Sequence, residues 1–272
     1  MRIGLFLRNM GQAANADLIA QCAQIADEKG IDDLWVLDHI AIPKEESEGS
    51  GGLYVDPLAT LAFAAGITKR VKLGVSVLIL PYRPALATAK WIASVQELSK
   101  GRLSLGVGVG WMEAEFKATG ADRKRRGAIT DEALSFFNDA FANDEVALNG
   151  QKFLFLPRPK KPEILVGGAA PHALKRAVTY GDGWMPMGAE PEKLGPNITQ
   201  LQEQFESAGK STPEVIALKP LPLDNLDECS ELMRSYAEIG VTGIEHPAKY
   251  DSADEFSEIC ETILAAKKNA SL

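Results

Sequence analysis

Gly101-Arg-Leu-Ser-Leu-Gly-Val-Gly-Val-Gly-Trp-Met-Glu-Ala-Glu-Phe116 decides the fold of this chain. The apolar run Leu103 to Val109 predicts a buried strand, and Gly106, Gly108 and Gly110 fall at every second position of it. Glycine inside a strand costs stability and marks close approach by another group. Side chains alternate across a strand, so the three glycines leave one face bare, with room for something flat. A polar, acidic segment follows at once, so the carboxyl end of the strand opens to solvent. In parallel α/β proteins ligands bind at that end.

Outward from this stretch, strands and helices alternate. Eight apolar runs read as strands: Ile3–Leu7, Leu34–Leu37, Lys72–Leu80, Arg102–Val109, Ile164–Gly168, Gly183–Met187, Val215–Lys219 and Gly243–His246. Asn15 caps a helix that presents Leu18, Ile19, Cys22 and Ile25 and stops at Gly30. Asp56-Pro57 opens a second, stopped at Gly66. Helical patterns follow over Ala85–Leu98, Thr130–Phe141, Pro171–Tyr180, Pro191–Ala208 and Asn225–Ile239, the fourth of these expected to break at Gly195-Pro196. Ser252-Ala-Asp-Glu255 is a capping box for the last helix.

Strands followed by helices imply a parallel sheet, and eight is the number that closes a barrel. The 272 residues suit a barrel of about 250, and no shift of composition marks a second domain. The expectation is one α/β domain over 1–272, a (β/α)8 TIM barrel with an insertion between strands four and five. A doubly wound open sheet is the alternative. Against it, Leu7-Arg-Asn-Met-Gly11 after strand one is not a G-x-G-x-x-G fingerprint.

Hydrophobic residues make up 46% and charged residues 24%, the balance of a globular protein with an ample core. A net charge of −8 argues against nucleic acid or anionic membrane as a partner. The longest apolar run, Leu73–Leu80, falls far short of the ~20 residues of a membrane helix. Met1–Leu7 is too short for a signal peptide. Cys22, Cys229 and Cys260 are odd in number and lack metal-ligand spacing, so they read as buried free thiols of a cytoplasmic protein without a metal site.

The chemistry of such a barrel is expected where the strands end. Those positions hold Asp38-His39, Ser76, Pro81-Tyr82-Arg83, Gly108, Gly110, Trp111, Gly167-Gly168, Trp184-Met185 and Glu245-His246. His39 is a candidate to pass a proton or hydrogen bond to a cofactor ring; a structural loop histidine is the plainer alternative. Gly167-Gly168-Ala-Ala-Pro171, ahead of a helix, suits an anion such as phosphate, or is simply a tight turn. Arg125 or Arg126 would supply the positive charge, unless Arg123-Lys-Arg-Arg126 is only a solvated run.

The motifs together resemble the luciferase-like flavin and deazaflavin oxidoreductases. The resemblance is carried by Leu98 to Phe116, Arg125-Arg-Gly-Ala-Ile-Thr-Asp-Glu-Ala-Leu134, Ile164-Leu-Val-Gly-Gly168 and Gly181-Asp-Gly-Trp-Met-Pro-Met187. Leu34-Trp-Val-Leu-Asp-His39 and Leu80-Pro-Tyr-Arg83 also fit, in family order along nearly the whole chain. It implies a barrel enzyme that uses FMN or coenzyme F-420 to transfer hydride or activate oxygen on a small organic substrate, with a homodimer as the family's habit. Carried over, Asp38 and His39 match a strand-two pair near the ring. Ser76-Val77 matches a bulge that in relatives holds a non-proline cis peptide behind the ring. Gly167-Gly168 and Arg126 match parts of the phosphate site. Gly108, Gly110, Trp111 and Trp184 complete the expected cofactor-binding set. The chain departs from the family pattern, in the displaced proline of Arg83-Pro84-Ala85 among other places, and two of the departures bear on the chemistry. Trp111 replaces a glutamate that is catalytic in some deazaflavin-dependent sugar-phosphate dehydrogenases, and Val109 replaces an arginine of the luciferases, which argues against light emission. A flavin-binding protein without turnover, and an unrelated barrel enzyme for a phosphorylated metabolite, are the competing readings.

Overall fold

A computed structural model describes residues 1–272. Eight parallel strands close into a barrel: β1 (Arg2–Phe6), β2 (Asp33–Val36), β3 (Lys72–Ile79), β4 (Leu103–Gly108), β7 (Glu163–Gly167), β8 (Gly183–Met185), β9 (Glu214–Leu218) and β10 (Gly243–His246). The order around the barrel follows the chain, and β1 closes it against β10, with Gly4 opposite Glu245. Seven longer helices surround it: α1 (Ala16–Lys29), α2 (Pro57–Ile67), α3 (Ala85–Leu98), α5 (Arg126–Ala142), α7 (Pro191–Ser207), α8 (Leu226–Glu238) and α9 (Ala253–Asn269). α4 (Glu113–Thr119) and α6 (His172–Tyr180) are shorter.

The caps expected from sequence at Asn15, Asp56 and Ser252 form, and Asn225, read as the first residue of a helix, is itself a cap. Their side chains accept from the first free N–H groups of α1, α2, α9 and α8. α7 differs from expectation, because it runs unbroken through Pro196. Proline in a helix removes one hydrogen bond. Here Leu194, Ile198, Leu201 and Phe205 bury one continuous face, and that burial outweighs the loss. The insertion after β4 holds α4, α5 and an antiparallel hairpin of β5 (Glu145–Leu148) and β6 (Gln151–Leu154) outside the barrel. Asn149-Gly150, both at positive φ, makes its two-residue turn.

The interior of the barrel is stacked in levels, because alternate residues of each strand point inward. At the amino ends Arg2 donates to Asp33 and to Glu163, and Ser104 and Lys72 also donate to Glu163, which closes the bottom with paired charges. Above it lie Trp35, Leu165, Met185 and Ile216. Gly4 and Gly74 are the spaces for the Trp35 ring, since a Cβ there would stand 2.3 and 2.2 Å from it. The top level opens as a cleft. The larger core, 59 buried residues including Cys22, Cys229 and Cys260, lies between strands and helices. No helix is long and apolar enough to cross a membrane.

Candidate functional site

The cleft has a volume of about 470 Å³ and lies at the carboxyl ends of the strands. That is within the range of about 300–1,000 Å³ found for small-molecule sites. Its floor is made by β3. The register of β3 against β4 shifts between Val75 and Leu78, and the Ser76–Val77 peptide is cis. The Val77 side chain thereby comes to lie over Gly108 and Gly167. A Cβ on Gly108 would stand 2.5 Å from Val77 Cγ2, and one on Gly167 2.8 Å from Cγ1. This corrects the expectation of a bare glycine face. Gly106, Gly108 and Gly110 do point inward, but Val77, Ile79, Met185 and Phe116 already fill the room they leave. The flat surface offered to a ligand is Val77, with the glycines as its seat.

Asp38 lies behind this floor and holds it. Its carboxylate accepts from the Ile79 N–H at 2.8 Å and from both terminal nitrogens of Arg83 at 2.6 and 2.8 Å, and Arg83 also reaches Asp56 at 3.0 Å. Burial opposes the guanidinium charge, but the hydrogen bonds and charge of Asp38 outweigh it and raise the Arg83 pKa. Burial pushes the Asp38 carboxyl pKa up, against the pull of Arg83 and the Ile79 N–H, and the permanently charged guanidinium, bound through two nitrogens, favours the carboxylate form. Asp38 thus borders the cleft with both oxygens committed.

His39 stands on the wall. Its Nδ1 is 3.0 Å from Glu115 Oε2, and its ring meets Tyr54 edge-on at 5.0 Å and Trp111 at 6.4 Å between centroids. Glu115, from α4, is 1% exposed. Its other oxygen accepts from the N–H groups of Ile40 at 2.6 Å and Ala41 at 3.0 Å. Burial works against this charge, but His39 and the two amides overcome it and hold the carboxyl at about 2. A fixed carboxylate here requires Nδ1 of His39 to carry a proton, so in the neutral imidazole Nε2 is the free acceptor. Glu115 lay inside the quoted glycine stretch, yet nothing in the sequence separated it from an ordinary exposed helix residue.

Glu245, on β10, is fully buried at the base of the cleft. Ser76 Oγ lies 2.5 Å from its Oε1, and Oε2 has no partner. Burial is the main force on it, and despite the hydrogen bond to Ser76 it raises the carboxyl pKa well above the usual range, with Asp33 adding to the effect. Burial thus favours the protonated form of Glu245. Met185, Met187, Leu218 and Phe6 supply much of the apolar wall.

Of the residues expected at the site, Asp38, His39, Ser76, Val77, Gly108, Gly110, Trp111, Gly167 and Gly168 line this one cleft. Trp184 does not. It is buried behind the β7 turn, where its Nε1 donates to the Gly168 carbonyl at 2.8 Å. Gly168 has φ 115°, a conformation that excludes most side chains, and no side chain caps the start of α6 after it. Arg126 lies elsewhere too, in a neighbouring hollow of about 750 Å³ with Lys117, Arg123 and Lys124. Phe116 lines that hollow and also packs on Gly110 of the cleft, so it stands between the two. Glu113 pairs with Lys117 and Arg123, whereas Lys124 and Arg126 have no acidic partner. His246 is buried outside the cleft wall. Its Nδ1 accepts from the Leu221 N–H, and burial lowers its pKa to about 4.

The family model described as luciferase-like monooxygenase matches residues 1–238. An F420-dependent glucose-6-phosphate dehydrogenase of Amycolatopsis mediterranei is 27% identical over 261 residues, which cover 90% of this chain and 77% of that protein. Among solved structures, an F420-dependent secondary alcohol dehydrogenase in complex with an F420–acetone adduct superposes with a TM-score of 0.80 at 19% identity, covering 97% of this chain and 98% of the other. The oxygenating constituent of 3,6-diketocamphane monooxygenase of Pseudomonas putida, in complex with FMN, does so with 0.78 at 16%, covering 99% and 98%. Both structures share the fold.

Proposed function

We propose, for a chain that belongs to the luciferase-like monooxygenase family, that the cleft holds the ring of FMN or coenzyme F-420 and that the protein is an oxidoreductase acting there on a small organic substrate. The observation that carries this reading is the floor. Val77, seated on Gly108 and Gly167 by the irregular turn of β3, presents an apolar face in a cleft of the right size. The unpartnered Oε2 of Glu245 leaves one polar group beneath it. Gly167-Gly168 and the uncapped start of α6 are the features toward which a cofactor phosphate would be held.

When bound, the cofactor supplies hydride transfer or oxygen activation; the protein orients it and handles protons. The Asp38–Arg83 pair keeps the β3 turn in place through the Ile79 N–H. Glu115 fixes the His39 ring and its tautomer, so that Nε2 takes a proton from a substrate hydroxyl or, once protonated, returns one to a carbonyl oxygen. Trp111 and Tyr54 flank the ring of His39 and restrict how it turns.

Phe63 of α2 and Trp91 and Leu98 of α3, all exposed on helices that pack side by side, support a homodimer through this face. Light scattering at two protein concentrations reads that directly.

The catalytic reading is tested by mixing protein loaded with oxidised cofactor with cyclohexanol, and protein loaded with reduced cofactor with cyclohexanone, while following the ring absorbance. General acid–base catalysis contributes about 10²–10⁴-fold, so His39→Ala should lose that much rate while its cofactor affinity changes little. A loaded protein whose ring neither reagent alters would instead be a binding protein without turnover.

A further inference from the structure

Five ionisable side chains reach the cleft, and their charges limit what can enter. They are Asp38, His39, Tyr82, Glu115 and Glu245; no lysine or arginine lines the wall. Arg83, the cation just behind it, is committed to Asp38 and Asp56. Glu115 is a fixed anion held by three hydrogen bonds, and Glu245 is fully buried at the base, bonded to Ser76. The cations of the neighbouring hollow lie beyond Phe116. An incoming phosphate, sulfonate or carboxylate would therefore give up water without finding a counter-charge, and it would approach Glu115.

The rim points the same way. Trp111, leaving β4, and Met187, leaving β8, both border the cleft and are 63% and 80% exposed. Large apolar side chains left this open at the mouth of a pocket mark a surface that something apolar covers. Methionine adapts its shape to an apolar body, and tryptophan offers a broad face. His39 meets the Trp111 ring at this mouth, and its Nε2 has no hydrogen-bond partner.

We propose that the site takes an uncharged, apolar substrate whose single polar oxygen meets His39 while Trp111 and Met187 cover its body, and that it discriminates against anionic substrates. This rests on the cofactor reading for what occupies the floor, and its test is arranged to fail separately. Cofactor binding is measured first, by titration. Calorimetry then compares two probes of nearly equal shape, cyclohexanecarboxamide and cyclohexanecarboxylate, at pH 7, on the protein with cofactor and without. The neutral amide should bind at least tenfold more tightly than the carboxylate. Met187→Arg, which places a cation on the rim, should shrink or reverse that ratio. Loss of cofactor binding alone overturns the cofactor reading and leaves the probe comparison standing on the free protein. A carboxylate that binds as tightly as the amide, a ratio that Met187→Arg leaves unchanged, or a protein that binds neither probe overturns the proposal.

Discussion

Glu115→Gln tests how the site controls His39. The carboxylate accepts from His39 Nδ1, Ile40 N and Ala41 N. A fall from the ordinary 4.5 to about 2 corresponds, at about 1.36 kcal/mol per pH unit, to roughly 3 kcal/mol of folded-state preference for the anion. Glutamine keeps the shape and one oxygen for the two amides, but it turns an NH2 toward His39. The variant should lose about 2–3 kcal/mol, and at ~2–4 °C per kcal/mol in a protein of this size its melting temperature should drop by roughly 5–10 °C. The sign of the pH dependence follows from a depressed carboxyl pKa. The stabilisation is complete above about 4.5 and vanishes as pH falls through about 2, so the gap between the two proteins closes over that window. The donated hydrogen also reverses the imidazole. Nδ1 becomes the acceptor and Nε2 carries the proton, which nitrogen NMR of labelled histidine resolves. An unchanged melting temperature together with an unchanged tautomer would refute the argument that Glu115 holds His39.

Three further substitutions follow from the same geometry. Gly108→Leu drives a Cβ to within 2.5 Å of Val77, so it should destabilise by about 1–3 kcal/mol and weaken cofactor binding; denaturation and titration on one sample read both, and unaltered stability would mean Val77 is not seated there. Arg83→Ala strands the buried Asp38 carboxylate and should cost about 3–5 kcal/mol, far more than Arg125→Ala, whose partner Glu132 is exposed. Glu245 has a raised carboxyl pKa, so its contribution to stability is greatest below about 4.5 and declines as pH rises toward the raised value. Glu245→Gln removes that decline, and its melting temperature should gain on the parent's between pH 5 and 8; parallel curves would show Glu245 to be ionised.

The barrel was legible because its signals are local. β3 and β10 are short apolar runs whose lengths fit strands, and Asn15, Asp56 and Ser252 announce helix starts through their own side chains. Pro196 misled because a helix break is a local rule, whereas α7 is held by burial of Leu194 to Phe205 against the rest of the fold. The site divides the same way. Its position at the strand ends follows from topology, and the glycines at 106, 108 and 110 correctly announced a close approach. What approaches was hidden, since Val77 reaches Gly108 on the neighbouring strand and Gly167 one strand further, where the register of β3 is irregular. Glu115 acquires its role from a partner 76 positions away. Arg126 looked like a member of the site because it stands near a helix start, and α5 carries it to the far side of Phe116.

The central claim is that the cleft over Val77 binds a flavin-type ring. The most direct measurement is an equilibrium titration of the purified protein with FMN and, separately, with coenzyme F-420, followed by quenching of ring fluorescence and repeated on Val77→Asp. Saturable binding of at least one cofactor at one site per chain, weakened at least tenfold by a charge on the floor, is the result expected. Binding of neither, or binding that Val77→Asp leaves untouched, would contradict it.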